Sequence, residues 1–397
     1  MRSWVGVGED DPFGLDNLPY GSHMGPDRRL RTVVRIGAHM LDLTGATVGT
    51  EHEGLFELGT LDTFLAAGPT TWSSVRAQLT RWLSEPEHQP SIEKLLIPIE
   101  SRKLRLPFAV ADYVDFYASE DHASNVGRMF RPDAAALTPN WKHLPIGYHG
   151  RSGTIVVSGT DVRRPSGQYR GPDGEIVFGP STRLDIEAEI AFVVGVGSER
   201  GTPVSTSEFR RHVFGLCLLN DWSARDIQAW EYVPLGPFLG KSFATSVSAW
   251  LTPLDALRDA WTAPPPREHE PLPYLREVNP AAGLDIALEI RVNGARLANP
   301  AFAGMYWTPA QMLAHMTVNG ASLRTGDVFA SGTVSGPEPR QRGSLLELSW
   351  NGTEPIDLGG GATRRFLEDG DEVVITASAP APNGRISLGE VAGRVVA

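Results

Sequence analysis

Short apolar runs separated by turns rich in glycine and proline dominate the chain, and this pattern predicts many short strands with few helices. Asn293-Gly294 lies between two strand-like runs and predicts a hairpin. A second hairpin is predicted at Asn351-Gly352, after a strand over residues 346–350. Strands with a few inserted helices indicate a mainly β protein of the α+β type, built on a β-sandwich or roll-like domain.

Helical spacing of apolar residues is found in only a few segments. Residues 72–84 carry an apolar stripe behind Thr70 and Thr71, which we expect to cap the helix. A shorter helix is predicted over residues 61–67, and another begins at Thr308, where a proline occupies the first helical position. These helices are expected to lie between strands and not to form a helical domain.

Two domains are expected from the order of these elements. Residues 1–30 are predicted to form an irregular arm, followed by short strands over residues 31–37 and 40–43. We place an N-terminal domain at residues 1–106 and a second domain at residues 107–397. The first domain has no cluster of acids and histidines, so a structural or dimer-forming role is expected for it.

Residues 182–195 carry the most informative pattern. Apolar residues occupy alternate positions at Leu184, Ile186, Ala188 and Ile190, and the acids between them are Asp185, Glu187 and Glu189. This period of two predicts a strand with one buried face and three carboxylates on the other. For the strand alone, a solvated acidic face is the better interpretation. The unbroken apolar run at 191–194 instead indicates a strand covered on both sides, and acids leading into it suggest a metal site.

Composition and charge narrow the possible partners. A net charge of −11 over 397 residues argues against nucleic acid or an anionic membrane as partner. No apolar run is long enough to span a bilayer, and the acidic N-terminal stretch does not resemble a secretory signal. The single cysteine, Cys217, lies in an apolar run, which predicts a buried thiol in a reducing compartment. A cytoplasmic location is therefore expected.

Polar residues that could carry chemistry follow two predicted strands. Asp221 ends an apolar strand, and the helix after it places Arg225, Gln228 and Tyr232 on one face. A solvated helix face is an equal alternative for this segment. Upstream, Tyr113, Asp115 and Tyr117 share one side of a strand and precede His122. An isolated histidine is more often a surface residue than a catalyst, but His122 gains weight from these neighbours.

Two further charged residues are candidates. Lys241 is one of four lysines in a chain that favours arginine, and it lies in a loop rich in glycine and phenylalanine. A lysine pointing into solvent is the alternative. Glu347 shares its side of the predicted strand with Leu345, so partial burial and a polar partner are expected, with a solvated strand acid as the alternative.

Four carboxylates from three segments could form one metal site, namely Asp115, Glu187, Glu189 and Asp221. Ligands that are all oxygen suit a hard cation such as Ca²⁺ or Mg²⁺ far better than zinc, which prefers histidine and cysteine. Cys217 has no cysteine partner, which argues against a thiolate zinc site.

At these residues the chain resembles the fumarylacetoacetate hydrolase family. The matching stretches are residues 112–131, 140–151, 184–189, 220–245 and 330–339. The resemblance implies a homodimer, an SH3-like N-terminal barrel and a C-terminal mixed β-sandwich roll. It also implies a small diketo acid as substrate: water cleaves a carbon–carbon bond of 4-fumarylacetoacetate to give fumarate and acetoacetate, the last step of tyrosine and phenylalanine degradation.

The resemblance also implies roles for individual residues. The Ca²⁺ ligands would be Asp115, Glu187, Glu189 and Asp221. A neighbouring Mg²⁺ site would use Asp221, Lys241 and Thr245, with Lys241 contributing its main-chain oxygen because an ammonium group cannot ligate a cation. His122 would deprotonate water with Glu347 orienting the imidazole, and Arg225, Gln228 and Lys241 would surround the oxyanion. The substrate-binding residues would be Tyr117, Arg131, Tyr148, Gln228, Tyr232 and Thr333.

Two other functions fit parts of the same pattern. A hydratase or decarboxylase of a 2-oxo acid could keep the fold and the metal with different chemistry, because one fold can host several reactions. A non-enzymatic, Ca²⁺-stabilised binding protein would keep the acids but would not require His122, Lys241 or Gln228.

Overall fold

The computed structural model describes residues 2–8 and 10–397. Its N-terminal strands are β1 (Tyr20–Met24), β2 (Leu30–Ile36), β3 (His39–Asp42), β4 (Leu96–Pro98) and β5 (Leu104–Arg105). The helices among them are α1 (Leu43–Ala46), α2 (Asp62–Ala66), α3 (Pro69–Ser84) and α4 (Gln89–Ile92). The strands form one antiparallel sheet in the order β4-β3-β2-β1-β5.

The N-terminal region follows the predicted pattern with two corrections. The apolar stripe of α3 is buried as expected, but the helix starts at Pro69 and no side chain caps it, so the predicted Thr70-Thr71 cap is wrong. Gly68, with φ of 85°, makes the turn into the helix, and proline at the first position has no N–H to satisfy. Tyr20–Met24 is a strand, although residues 1–30 were expected to be irregular. Four of its five residues are buried, so it shows no alternation.

The remaining strands follow β5 along the chain. They are β6 (Asp112–Phe116), β7 (Gly147–His149), β8 (Ile155–Val157), β9 (Val162–Arg163), β10 (Ser166–Arg170), β11 (Ile176–Pro180), β12 (Leu184–Asp185), β13 (Ala188–Val194), β14 (Val213–Asp221), β15 (Ser223–Ala224), β16 (Thr245–Val247), β17 (Thr252–Pro253), β18 (Trp261–Thr262), β19 (Gly283–Leu284), β20 (Ala287–Val292), β21 (Ala295–Ala298), β22 (Asp327–Ala330), β23 (Ile356–Gly359), β24 (Ala362–Arg364), β25 (Glu372–Ala381) and β26 (Gly384–Val396).

Helices in this region are short. They are α5 (Glu120–Phe130), α6 (Phe209–His212), α7 (Arg225–Glu231), α8 (Leu239–Ser242), α9 (Pro309–Thr317) and α10 (Leu345–Leu348). Single turns of 3₁₀ helix and one longer 3₁₀ segment lie at Pro86–His88, Glu93–Leu95, Ile99–Ser101, Ser152–Thr154, Thr206–Glu208, Leu254–Ala260, Pro273–Leu275, Phe302–Gly304 and Pro339–Gln341. The helix predicted from Thr308 is α9, and Thr308 caps it together with Gln311.

An eight-stranded mixed sheet positions the site. Its main path is β7-β6-β22-β13-β14-β16-β8, with β17 paired to β14. The pairs β6–β22 and β8–β16 are parallel and the others are antiparallel. A second, five-stranded sheet has the order β21-β20-β25-β26-β9. These sheets confirm the mainly β expectation, whereas the SH3-like character of the first sheet and the division between residues 106 and 107 stay predictions.

The core lies against both faces of the large sheet. Every residue of β13 and β14 is buried, as expected for strands covered on both sides. On one face, the rings of Phe192 and Phe329 stack with centroids 5.3 Å apart. Cys217 is buried, as predicted. Within the described ranges, the structure has no helix long and apolar enough to cross a membrane.

Two predicted strands differ in the structure. The pattern over residues 182–195 is split into β12 and β13, with Ile186 and Glu187 between them. Residues 346–350 do not form a strand, because Leu345–Leu348 is a one-turn helix capped by the side chain of Ser344. Trp350, Asn351 and Gly352 all have positive φ and form a turn beyond this helix, so the hairpin predicted at Asn351-Gly352 is wrong. The hairpin at Asn293-Gly294 is confirmed between β20 and β21.

Candidate active site

Four buried carboxylates converge at one end of the large sheet. Asp115 lies near the end of β6, Glu189 near the start of β13, and Asp221 at the end of β14. Glu187 lies just before β13, where its carbonyl oxygen accepts a hydrogen bond from the backbone N–H of Asp221 at 3.1 Å. Each carboxylate offers an oxygen, and these oxygens all lie within 4.8 Å of one another. Four oxygens at this spacing could all bind one cation.

A solvated acidic face, which the strand pattern favoured on its own, is wrong. Glu187 is 5% exposed, and Asp185 and Glu189 are fully buried. The segment after β22 covers them: the backbone N–H of Ala188 donates to the carbonyl of Gly343, and the start of α10 packs against Asp185. This cover comes from residues more than 150 positions away, so the local alternation could not reveal it.

The cluster has unsatisfied oxygens. Oδ1 of Asp115 and Oε1 of Glu189 are buried and have no hydrogen-bond partner among the described residues. Burial, together with the charge of Asp221, raises the pKa of Asp115 to about 8. Burial and the charge of Asp115 likewise raise the pKa of Glu189. A hard, oxygen-binding cation would favour the ionised form of these carboxylates and would coordinate the oxygens that lack a hydrogen-bond donor. The residues therefore fit such an ion.

Two buried cations balance part of the cluster. The Lys241 ammonium is ion-paired with Glu187 and lies 3.0 Å from Oδ2 of Asp221, and Nη2 of Arg225 lies 2.7 Å from Oε1 of Glu187. Burial opposes ionisation of Glu187, but Lys241 and Arg225 outweigh it and hold the pKa of that carboxyl below its ordinary value. Burial would lower the pKa of Lys241, but Asp221 and Glu187 outweigh it and raise that pKa. The solvent-pointing alternative for Lys241 is therefore wrong.

His122 and Glu347 form a buried pair beside the cluster. His122 lies in the first turn of α5, and its Nδ1 is 2.7 Å from Oε2 of Glu347. Its Nε2 faces the cluster, 3.8 Å from Oε1 of Glu187. Burial opposes ionisation of Glu347, but His122 and the neighbouring donors lower its pKa. The alternatives of a surface histidine and a solvated strand acid are both wrong.

Three residues that the sequence did not single out hold Glu347 in place. Nδ2 of Asn125 donates to Oε1 at 3.0 Å, and the hydroxyls of Ser335 and Ser344 each donate to Oε2 at 2.9 Å. Ser344 and Glu347 have the spacing of a helix N-cap and its third residue, which could have identified the one-turn helix. An ionised carboxylate only accepts hydrogen bonds, so Nδ1 of His122 donates to Glu347. Nε2 of the neutral ring is then the acceptor.

A cavity of about 420 Å³ joins these groups. The predicted site residues that line it are Asp115, Tyr117, His122, Arg131, Tyr148, Glu187, Arg225, Gln228, Tyr232, Lys241 and Thr333. Phe130, Leu235 and Pro237 add apolar walls. A pocket of this size, with cations and carboxylates converging in it, accommodates a small organic acid.

The other predicted residues lie next to this cavity. Glu347 is behind His122, and Glu189 belongs to the carboxylate cluster. Asp221 and Thr245 line a smaller cavity of about 120 Å³, which shares Tyr148 and Lys241 with the larger one. There the Thr245 hydroxyl donates to Oδ1 of Asp221 at 2.8 Å.

Several lining side chains have polar atoms aimed at the site. The Tyr148 hydroxyl donates to Oδ2 of Asp221 at 2.9 Å, and burial raises its pKa. The ring of Tyr117 meets that of His122 edge to face, with centroids 5.4 Å apart. Oγ1 of Thr333 is buried with no hydrogen-bond partner in the part of the chain that the structure describes. Tyr232 is 39% exposed, so it lies at the rim of the cavity.

Fold and site together define a class of protein: a mainly β enzyme with a buried histidine–carboxylate pair beside a candidate metal site. Two family models match the chain along almost its full length. The model described as fumarylacetoacetate hydrolase, C-terminal, matches residues 112–396, and the model described as fumarylacetoacetase, N-terminal, matches residues 16–107. The chain therefore belongs to the fumarylacetoacetate hydrolase family.

Relatives from distant organisms match over almost their whole lengths. The chain is 47% identical to the fumarylacetoacetase of Homo sapiens over 415 residues, which cover 99% of this chain and 98% of the human protein. It is 43% identical to the fumarylacetoacetase of Oryza sativa subsp. japonica over 419 residues, which cover 100% of this chain and 97% of the rice protein. The similarity therefore extends through both matched regions.

Solved structures share the fold at low sequence identity. A fumarylacetoacetate hydrolase from Exiguobacterium antarcticum has a TM-score of 0.56 and 17% identity, with 96% of this chain and 99% of that chain covered. A maleylpyruvate hydrolase from Sphingobium has a TM-score of 0.52 and 16% identity, with the same coverage. At this identity the likeness establishes the fold alone, and these two hydrolases are named for different substrates, as one fold can host several reactions.

Proposed function

We propose that the protein hydrolyses 4-fumarylacetoacetate to fumarate and acetoacetate, the last step of tyrosine and phenylalanine degradation. The proposal rests on the buried His122–Glu347 pair, because His122 lines a cavity whose wall includes Asp115 and Glu187 of the four-carboxylate cluster. Similarity to fumarylacetoacetases over the whole chain supports this choice of substrate.

A metal ion is part of the proposal. Ca²⁺ would be held by Asp115, Glu187, Glu189 and Asp221, because their ligand atoms are close together, buried and partly unsatisfied. When bound, a divalent cation supplies polarisation of the substrate's oxygens and neutralises negative charge on them. A Mg²⁺ site at Asp221, Thr245 and the main-chain oxygen of Lys241 is supported by the adjoining cavity of about 120 Å³.

His122 would act as the general base. Nδ1 donates to Glu347, so Nε2 has the free lone pair and faces the cavity side of the site. Nε2 would take a proton from water as the water oxygen bonds to the carbonyl carbon of the fumaryl group. The Glu347 carboxylate would stabilise the resulting imidazolium, since it lies in contact with the ring and is shielded from solvent.

Bond cleavage then returns the proton. The tetrahedral oxyanion collapses to a carboxylic acid, and the carbon–carbon bond to the acetoacetyl group breaks. The electron pair of that bond leaves on the acetoacetate carbon as an enolate, which takes the proton from the His122 imidazolium. One water is thereby divided between the two products, with its OH on fumarate and its H on acetoacetate.

The charged lining would hold the substrate and the oxyanion. Arg225, Gln228 and Lys241 would surround the oxyanion, and Nη1 of Arg225 already donates to Oε1 of Gln228 at 3.1 Å. The residues proposed to bind the substrate's carboxylates and carbonyl oxygens are Tyr117, Arg131, Tyr148, Gln228, Tyr232 and Thr333, all of which line the cavity. The fork of donors on Arg131 suits a carboxylate.

We also propose a cytoplasmic homodimer in which residues 1–106 have a structural role. The family resemblance supports the dimer, and the single buried thiol supports a reducing compartment. Burial raises the pKa of Cys217 to about 12, which keeps the thiol protonated and unreactive.

Product analysis with fumarylacetoacetate, with and without a chelator, tests the function. The proposal expects fumarate and acetoacetate in equal amounts and loss of turnover when the metal is removed. A single hydrated or decarboxylated product from a 2-oxo acid would establish the hydratase or decarboxylase alternative instead. Chelator-sensitive thermal stability without turnover of any 1,3-diketo acid would establish a Ca²⁺-stabilised binding protein.

A further inference from the structure

Asp185 is a fully buried carboxylate whose oxygens all accept hydrogen bonds. Oδ2 accepts from Nε of Arg225 at 2.8 Å and from the backbone N–H of Leu346 at 3.0 Å. Oδ1 accepts from the backbone N–H groups of Leu345 and Ile186, both at 2.7 Å. With four donors around it, this carboxylate has no lone pair directed at the metal-binding cluster, although it neighbours that cluster in sequence.

The partners of Asp185 belong to two functional elements. Leu345 and Leu346 form the first turn of α10, the one-turn helix that carries Glu347. Because the first N–H groups of a helix have no partner within it, the Asp185 carboxylate satisfies them and fixes the position of that turn. Arg225 opens α7 and lines the cavity, and its guanidinium is held between Asp185 on one side and Glu187 on the other.

We propose that Asp185 is a positioning residue that fixes the Glu347–His122 pair and the Arg225 guanidinium relative to each other. This inference rests on the proposed function, because it assigns Asp185 a role in that same reaction. A single rigid carboxylate sets two distances at once: the base reaches the water, and the oxyanion donor reaches the carbonyl. Displacement of either group by about 1 Å costs roughly a hundredfold in rate, which makes one shared anchor effective.

Kinetics of Asp185→Asn test the proposal. The amide keeps the shape of the side chain but replaces one accepting oxygen with an NH₂ group, which would face donors on either side. We expect kcat per folded protein to fall roughly tenfold to a hundredfold, and KM to rise severalfold through the displaced Arg225. Calcium affinity should change far less than kcat, since Asp185 offers no oxygen to the cluster and reaches Glu187 only through Arg225.

Asp371→Asn is the matched control. Asp371 is 2% exposed, accepts from Nε and Nη2 of Arg364 at 2.9 and 3.0 Å and from the backbone N–H of Glu368 at 2.8 Å, and lies outside the cavity. The variant therefore loses an ion pair between a buried aspartate and an arginine without touching the site. Both variants should lower the melting temperature, and Asp185→Asn alone should change kcat and KM.

A second variant covers the possibility that Asp185→Asn does not fold. Asp185→Glu keeps the charge but moves the oxygens by one methylene, and the proposal expects the same split in kcat and KM. Parent-like kcat and KM in whichever variant folds, with Asp371→Asn equally active, would overturn the positioning role. A parent protein that does not turn over fumarylacetoacetate would instead overturn the proposed function, so the two failures are distinguishable.

Discussion

Nδ1 of His122 lies 2.7 Å from Oε2 of Glu347, a carboxylate with no solvent exposure. Two serine hydroxyls and the Asn125 amide also donate to this carboxylate, so its negative charge is fully solvated by protein. Such a group stabilises a positive charge on the imidazole without competing for the proton itself. The pair therefore gives the site a base with a defined tautomer.

Replacement of Glu347 by glutamine should reduce turnover with little change in substrate binding. The amide keeps the shape but removes the charge that stabilises the imidazolium, so kcat is expected to fall about 10²- to 10⁴-fold. Steady-state kinetics measure the effect. Glu208→Gln, in a capping box on the surface, is the control that should leave kcat unchanged. A Glu347→Gln variant with parent-like kcat would remove Glu347 from the mechanism.

The Lys241 ammonium should stabilise the folded protein when no metal is bound to the carboxylate cluster. Lys241→Met leaves Glu187 and Asp221 without this buried partner, and a broken buried ion pair costs about 3–5 kcal/mol. We expect the difference in melting temperature between calcium and chelator to be larger in the variant than in the parent. Lys142→Met, which breaks a more exposed pair with Glu120, should behave like the parent. Equal calcium-dependent shifts in all three proteins would contradict this account of Lys241.

Calcium binding should strengthen with pH. Burial raises the pKa of Asp115 from 3.8 to about 8, so the folded, metal-free protein holds a proton that the unfolded chain has lost. Between those two values the metal-free protein therefore loses stability as pH rises. A bound cation requires the ionised carboxylate, so affinity should increase by up to about tenfold per pH unit below 8. Calorimetric titrations at pH 6 and pH 8 measure this, and Asp115→Asn should flatten the dependence. Equal parent affinities at both pH values would be the contrary result.

Gly127 should be intolerant of alanine even though it lies in a helix. A Cβ there would be 1.8 Å from the carbonyl oxygen of Ala136, so α5, which carries His122, would have to shift. We expect Gly127→Ala to lower the free energy of unfolding by about 1–3 kcal/mol, although alanine has a higher helix propensity than glycine. Denaturant titration measures the change. Gly304→Ala, where a Cβ meets nothing within 4 Å, should be nearly neutral, and equal stability of the two variants would contradict the packing argument.

The sequence predicted the mainly β fold and the residues that converge at the cavity, because both leave local signals. Alternation over residues 184–190 and the apolar run at 191–194 marked β12 and β13, and polar residues at strand ends marked Asp115 and Asp221 as site candidates. The solvated interpretation of the acids failed because their cover, the segment from Gly343 to Leu346, is distant in sequence. No periodicity reveals such a contact.

Two elements, α10 and β1, are too short for a hydrophobic pattern to identify them. α10 is a single turn, so its alternation of Leu346, Glu347 and Leu348 fits a strand equally well. β1 is buried on both sides and contains Gly21 and Ser22, so neither alternation nor strand propensity identified it. The role of Asp185 depends on α7 and α10 meeting at one carboxylate, which only the folded chain shows.

His122 is proposed to act as the base in metal-assisted cleavage of fumarylacetoacetate. The most direct test measures fumarate and acetoacetate formed by the parent and by His122→Ala at saturating calcium, alongside calcium affinity. We predict equal amounts of both products from the parent, at least a roughly hundredfold lower rate for the variant, and unchanged calcium affinity. Turnover by His122→Ala at the parent rate would contradict the role of His122 as the base.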